Sequence, residues 1–138
     1  MGKASREKGK RGERRAAEIL SIFWPGARRE AGQCRKGSDA PDVNGTPFWV
    51  EAKEAVVPNA WRALEQALVA REAGKDPRVP LLILHRTRGP IEARGIVAFR
   101  VEDLARVCFL FAEAANRAIT SAIETRAPDD QPPAEPAF

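Results

Sequence analysis

Asp42, Glu51 and Lys53 are the residues of this chain whose types and spacing can do chemistry. Residues two apart on a strand share a face, so in Val50-Glu51-Ala52-Lys53 the carboxylate of Glu51 and the ammonium of Lys53 project together while Ala52 turns into the core. Eight residues separate Asp42 from Glu51, across an Asn44-Gly45 turn, and Asp42 meets the pair from the other arm of a hairpin. Two carboxylates at that distance repel and need a cation between them, and oxygen ligands with waters are what Mg2+ accepts. The ammonium beside them can orient or help deprotonate a water. A carboxylate-bound metal, an attacking water and a basic flank are what phosphodiester hydrolysis requires. Glu-x-Lys on a strand is also commonly a solvated ion pair. What turns it toward catalysis here is context: the preceding Pro41-Asp42, the apolar run Phe48-Trp49-Val50, and a basic segment upstream that carries Glu13.

The elements that must position these groups are legible from periodicity. Ala16, Ile19, Leu20 and Phe23 make an apolar stripe that predicts a helix over about 9–23, ended by Pro25-Gly26. The polar stretch 27–44 reads as a loop whose start can form a strand, and 47–53 reads as a strong strand paired with Asp42-Val43. A second helix is expected over about 58–73, with Trp61, Leu64 and Leu68 as its apolar arc and Ala63, Ala67 and Ala70 beside it. Leu81-Leu82-Ile83-Leu84-His85 predicts a strand buried on both faces, 95–100 another strand, and 101–111 a helix, with a weaker small-residue helix reaching Thr125. The expected fold class is α/β, in the order α, β, β, β, α, β, β, α. The last stretch, 127–138, is rich in proline and acid and reads as disordered.

Composition closes other routes. A chain of 138 residues builds one core, and with 43% hydrophobic and 30% charged residues it is an ordinary globular domain. It has no tyrosine, which excludes tyrosine recombinases, type I topoisomerases and GIY-YIG nucleases, and a single histidine, His85, which excludes a His-rich metal site and an HNH core. Cys34 and Cys108 belong to no CxxC pair, arguing against zinc and disulfides and for a reducing, cytoplasmic setting. No apolar run approaches a membrane span of roughly 18 residues. Charge is uneven: residues 1–36 hold eleven Lys/Arg against four Glu, a net +7, whereas 37–112 balance and 113–138 carry −3. Arg outnumbers Lys by seventeen to six, and Arg matches phosphate bidentately, so the basic N-terminus is expected to contact nucleic acid.

Together, Gly9-to-Leu20 (GKRGERRAAEIL), Pro41-Asp42-Val43, Glu51-Ala52-Lys53, the helix NAWRALEQALVAREAG and the strand VPLLILH resemble the PD-(D/E)xK nuclease superfamily. Within it the chain is most similar to the archaeal-type Holliday junction resolvases and their bacteriophage relatives, over roughly residues 8–111. The resemblance implies a restriction-endonuclease-like core, a mixed central sheet flanked by helices. It implies that Glu13, Asp42 and Glu51 are the acidic site residues, that Lys53 is the catalytic lysine, and that Arg14 and Arg29 lie near the junction. Gln66 falls where relatives carry a helix glutamine close to the site. Asp39 rivals Asp42 as ligand, the hairpin is shorter than archaeal members usually have, and the segment after Phe111 has no counterpart.

The resulting expectations are a nuclease domain over 1–111 with a basic arm at 1–10, followed by a helical extension and tail over 112–138. Metal, Mg2+ with Mn2+ able to substitute, would sit on Asp42, Glu51 and the Ala52 carbonyl, with Glu13 as a direct or water-mediated ligand. Lys8, Lys10, Arg11, Arg14, Arg29, Arg35 and Lys36 would grip phosphates. The substrate would be branched DNA, a four-way junction, cut by a homodimer, since a two-fold junction needs two matched nicks. Val107, Phe109, Leu110 and Phe111 are the apolar cluster available for its interface, unless they complete the chain's own core. Other readings are the same chemistry on nicked, flapped or duplex DNA, and a non-catalytic basic DNA-binding accessory protein.

Overall fold

The computed structural model describes residues 2–30, 40–91 and 94–126. Five strands form one mixed sheet in the order β1 (Arg28–Arg29), β2 (Val43–Asn44), β3 (Phe48–Ala55), β4 (Val79–Arg86), β5 (Gly95–Ala98). All neighbours are antiparallel except β3 and β4, which run parallel from Phe48 opposite Val79 to Ala55 opposite Arg86. A parallel pair needs a crossover, and the helix α2 (Ala60–Ala73) supplies it. The α/β class and the order of elements along the chain expected from the sequence, α, β, β, β, α, β, β, α, are both present.

Alternation on β3 and β4 divides the core in two. Phe48, Val50, Ala52, Leu81 and Ile83 pack against α1 (Lys3–Ser21) and α3 (Leu104–Thr125), whereas Trp49, Leu82 and Leu84 pack against α2. Both faces of β4 are therefore covered, as its unbroken apolar run requires. A turn of 3-10 helix at Val101–Asp103 leads into α3.

Four expectations are corrected. The basic arm 1–10 is helical from Lys3 and forms the first two turns of α1. The helix α3 runs unbroken through the boundary expected at 111/112. On α2 the buried face is Ala63, Ala67 and Ala70, while Trp61 is 78% exposed. The reason is volume: Trp49, Leu82 and Leu84 fill the sheet surface beneath α2, so alanines sit directly above them and Leu64 packs only from the side, partly buried. Finally, Val107, Leu110 and Phe111 belong to the chain's own core, where Phe111 stacks with Phe23, Trp24 and Phe48 at ring separations of 4.9, 5.0 and 5.5 Å. Of the expected interface cluster only Phe109 points to solvent. The tail 127–138 lies outside the described residues. No helix among the described residues is long and apolar enough to cross a membrane.

Candidate functional site

The hairpin between β2 and β3 brings Asp42 to Ala52. Its turn depends on Gly45, whose φ of +81° suits glycine, and any Cβ there would collide with the Gly26 carbonyl. The Val43–Val50 register then places Asp42 beside the next turn of β3. The Asp42 amide donates to the Val50 carbonyl at 2.8 Å, and the Ala52 amide donates to Asp42 Oδ2 at 2.8 Å. Asp42 is buried, 9% exposed, and its position is fixed by backbone at both ends.

Glu51 and Lys53 share the α2-facing side of β3, and their side chains form an ion pair at 2.5 Å. Burial pushes the Glu51 carboxyl above its ordinary range, and the nearby Asp42 charge pushes it further. Lys53 opposes both without reversing them, and Glu13 adds a smaller push upward. Three of the expected acidic residues thus lie within electrostatic reach of one another. Glu13 itself is held by the guanidinium of Arg29 on β1. Glu51 and Lys53 open into a hollow of about 380 Å3 whose far wall is α2, contributed by Glu65, Gln66, Val69 and Ala70. Gln66 is exposed and lines this hollow and also the adjoining one with Lys53, Asn59 and Arg62. Asn59 starts α2 by accepting the Arg62 amide at 3.0 Å, which sets where Gln66 emerges two turns later.

The donor set suits a hard divalent cation, since it offers carboxylate oxygens and no sulfur or imidazole. The mutual repulsion that raises Glu51 is what such a cation relieves. In a strand one residue's N–H and C=O point the same way, so the Ala52 carbonyl faces the Asp42 side as its amide does. Among the described residues no three His, Cys, Asp or Glu side chains converge as a ligand group. Asp42 and Glu51 with the Ala52 carbonyl are therefore the donors that fit, and Glu13, turned to Arg29, contributes charge.

The expected phosphate contacts divide. Arg14 is exposed on α1 and Lys8 partly so, while Lys10 pairs with Glu7 at 3.3 Å. Arg11 donates to Glu54 at 2.9 Å through Nε, and Arg29 is committed to Glu13. Arg35, Lys36 and the rival ligand Asp39 lie outside the described residues. The sequence reading missed Glu54 altogether. It sits on the α1 face of β3 with its side chain 3% exposed, clasped by Arg11 and approached by Arg15 at 4.0 Å, beside His85 of β4. A signal was present: Gly12 falls on the buried face of α1 with Ala16, and a Cβ there would meet the Glu54 Cβ at 3.2 Å, so the glycine marks a close approach.

No protein-family model matches this chain, and neither a curated protein nor a solved structure matches it.

Proposed function

We propose that the chain is a metal-dependent endodeoxyribonuclease that hydrolyses phosphodiesters of branched DNA, with the four-way junction as its substrate. The observation that carries this reading is the convergence of Asp42, Glu51 and Lys53 at the hairpin, with Glu51 held in an electrostatically costly state by burial and by Asp42. Such a cost is kept where a group works. Asp42, Glu51 and the Ala52 carbonyl would hold Mg2+, or Mn2+ in its place, which supplies Lewis acidity toward the phosphate and an attacking water. Lys53 orients that water and balances charge on the phosphoryl oxygens. Gln66 contacts the strand from the α2 wall, and the exposed cations of α1 hold phosphates without reading bases, as recognition by shape and charge requires. Two copies supply the two nicks that resolve a junction.

A labelled four-way junction and its component duplexes, incubated with protein in Mg2+ or EDTA, test the reading. Paired nicks near the branch point in Mg2+, none in EDTA and none with Glu51→Gln are expected. Cleavage by Glu51→Gln at the wild-type rate would overturn the assignment. Equal cutting of duplex and junction selects general nuclease chemistry instead. The pairing of Glu13 with Arg29 and of Glu51 with Lys53 favours a second reading, a non-catalytic DNA-binding protein, which predicts junction binding with no cleavage in any metal.

A further inference from the structure

The helix α3 is 22 residues long, yet only its first half rests on the body. Val107 and Ala114 are its buried residues, Leu110 and Phe111 are partly buried, and every residue from Asn116 onward is exposed. The face turned away from the body has its own order. Ala105, Phe109, Ala112, Asn116, Ile119 and Ile123 follow one another at steps of four, three, four, three and four, the spacing of a coiled-coil seam. All six are exposed, with Phe109 at 62%, Ile119 at 59% and Ile123 at 67%. Nothing among the described residues covers that seam. Isolated apolar residues on a surface are ordinary, but three heptads of regular spacing opposite the packed face are not.

We infer that α3 pairs antiparallel with α3 of a second copy of this chain. Three independent features of the helix select this partner and this direction. First, register: matching seam positions antiparallel sets Ala105 against Ile123, Phe109 against Ile119 and Ala112 against Asn116 of the second copy. That alignment is centred at residue 114, the middle of the helix, so both helices overlap along their whole length of about 33 Å. Second, charge: Arg106, Glu113, Arg117 and Glu124 lie in a single row along one flank, in the order plus, minus, plus, minus. Read from the opposite end the row is minus, plus, minus, plus. An antiparallel copy therefore sets Arg106 against Glu124 and Glu113 against Arg117, four opposite-sign pairs across the two-fold axis. A parallel copy would turn this row toward the uncharged flank of Cys108, Ala115 and Ala122 and gain none of them. Third, fit: the projecting half of each helix, exposed from Asn116 to Thr125 and bordering the body only where Arg117 lines a hollow with Trp24 and Gly45, covers the outward face of the other copy's body-bound half. Asn116 meets Ala112, where a small side chain leaves its amide access to water, and one polar seam position fixes register at a cost in affinity. With alanine in four of the six layers the expected dimer dissociation constant is on the order of 10 μM.

This pairing deepens the two-copy element of the proposed function, but it is measured without DNA or metal, so the two readings fail separately. Sedimentation of the full chain from about 1 to 100 μM should show a monomer–dimer equilibrium. Ile119→Asp, placed on the projecting half where it disturbs no core, should raise the dissociation constant by roughly 100-fold at unchanged melting temperature. Arg106→Glu and Glu124→Arg should each weaken the dimer by about fivefold, and the two together should restore it. A cysteine placed by Ala115→Cys in a C34S/C108S background should cross-link on mild oxidation, because residue 115 faces its own copy only in the antiparallel arrangement. A chain that is monomeric at 100 μM, a dimer indifferent to Ile119→Asp, or charge reversals that do not compensate would each overturn the pairing. Junction cleavage by the Ile119→Asp monomer, one strand at a time, would leave the nuclease reading standing.

Discussion

Glu51 and Glu54 stand three residues apart on β3, project to opposite faces of the sheet and are held in opposite electrostatic states. Glu51 meets Asp42 across the hairpin, and burial together with that like charge raises its carboxyl against the pull of Lys53. Burial would raise Glu54 too, but the Arg11 hydrogen bond and charge, with Arg15 behind them, outweigh it and hold the carboxyl below its ordinary range. The same residue type on the same strand is thus held above its ordinary range on one face and, through Oε1, paired with arginine on the other, where Oε2 has Arg15 at 4.0 Å and no hydrogen bond among the described residues. The difference separates a group that the fold tolerates at a cost from one that docks α1, and through α1 sets where Glu13 and Arg14 lie.

The largest expected effect is on chemistry. Glu51→Ala or Lys53→Ala should reduce junction cleavage roughly 10²–10³-fold or more while far-UV spectra stay intact and melting temperature does not fall, since neither side chain fills the core. Glu54→Ala should do the reverse on the proposed reading, lowering melting temperature while the protein that remains folded still cuts. Equal losses of cleavage in Glu51→Ala and Glu54→Ala, measured on folded protein, would erase the distinction between the faces.

Next in size is the packing of α1 on β3. A Gly12→Leu side chain enters a space already occupied by the Glu54 Cβ, and overpacking of that kind costs about 1–3 kcal/mol, a fall in melting temperature of roughly 3–10 °C. Gly12→Ala is the finer probe. A helix interior favours alanine over glycine by ~1 kcal/mol, so a net loss in this variant would show that the approach at 3.2 Å is tight rather than merely close.

How much of this was legible in the sequence follows from what each residue needs. The hairpin and the Asp42–Glu51–Lys53 grouping depend on local turn chemistry and on strand alternation, and both are written in Asn44-Gly45 and in the apolar run before Glu51. The α1-face clasp depends on which helix residue meets which strand residue over 43 positions of chain, and periodicity carries no such information. Trp61 misled for a related reason, since the width of the space under α2 is set by Trp49, Leu82 and Leu84 from other elements. The row Val107 to Phe111 read as one cluster because density was counted where direction decides. Only Phe109 differs by its side of the helix, and α3's continuation past residue 111 makes that side a seam.

A smaller effect comes from pH. Because the Glu51 carboxyl is raised, its contribution to stability is present below the unfolded value of about 4.5 and is lost as pH rises through its folded value, so Glu51→Gln should melt higher than wild type at neutral pH. Because the Glu54 carboxyl is lowered, its contribution is present above that ordinary value and lost as pH falls through its folded one, so Glu54→Gln should melt lower at neutral pH and converge on wild type in acid. Carbon-detected NMR titration should find Glu51 titrating above Glu54, and Asp42→Asn should bring the Glu51 midpoint down. An unmoved midpoint would mean that burial alone raises Glu51.

The smallest expected effect concerns the arginines of α1 and asks whether the clasp withholds Arg11 from DNA. Arg14 is exposed and has no carboxylate partner among the described residues, whereas Arg11 already spends its guanidinium on Glu54. A cation that neutralises one phosphate releases counterions, and its removal lowers the slope of log affinity against log salt by about one. Junction binding in EDTA, measured from about 50 to 200 mM salt, should therefore show a slope reduced by about one for Arg14→Ala. For Arg11→Ala the slope should change by less, and melting temperature should fall instead, because the Glu54 carboxylate would lose its donor at a buried site. If Arg11→Ala gives the full slope change and leaves melting untouched, then DNA draws Arg11 away from Glu54 on binding, and the docked face is itself part of the phosphate track.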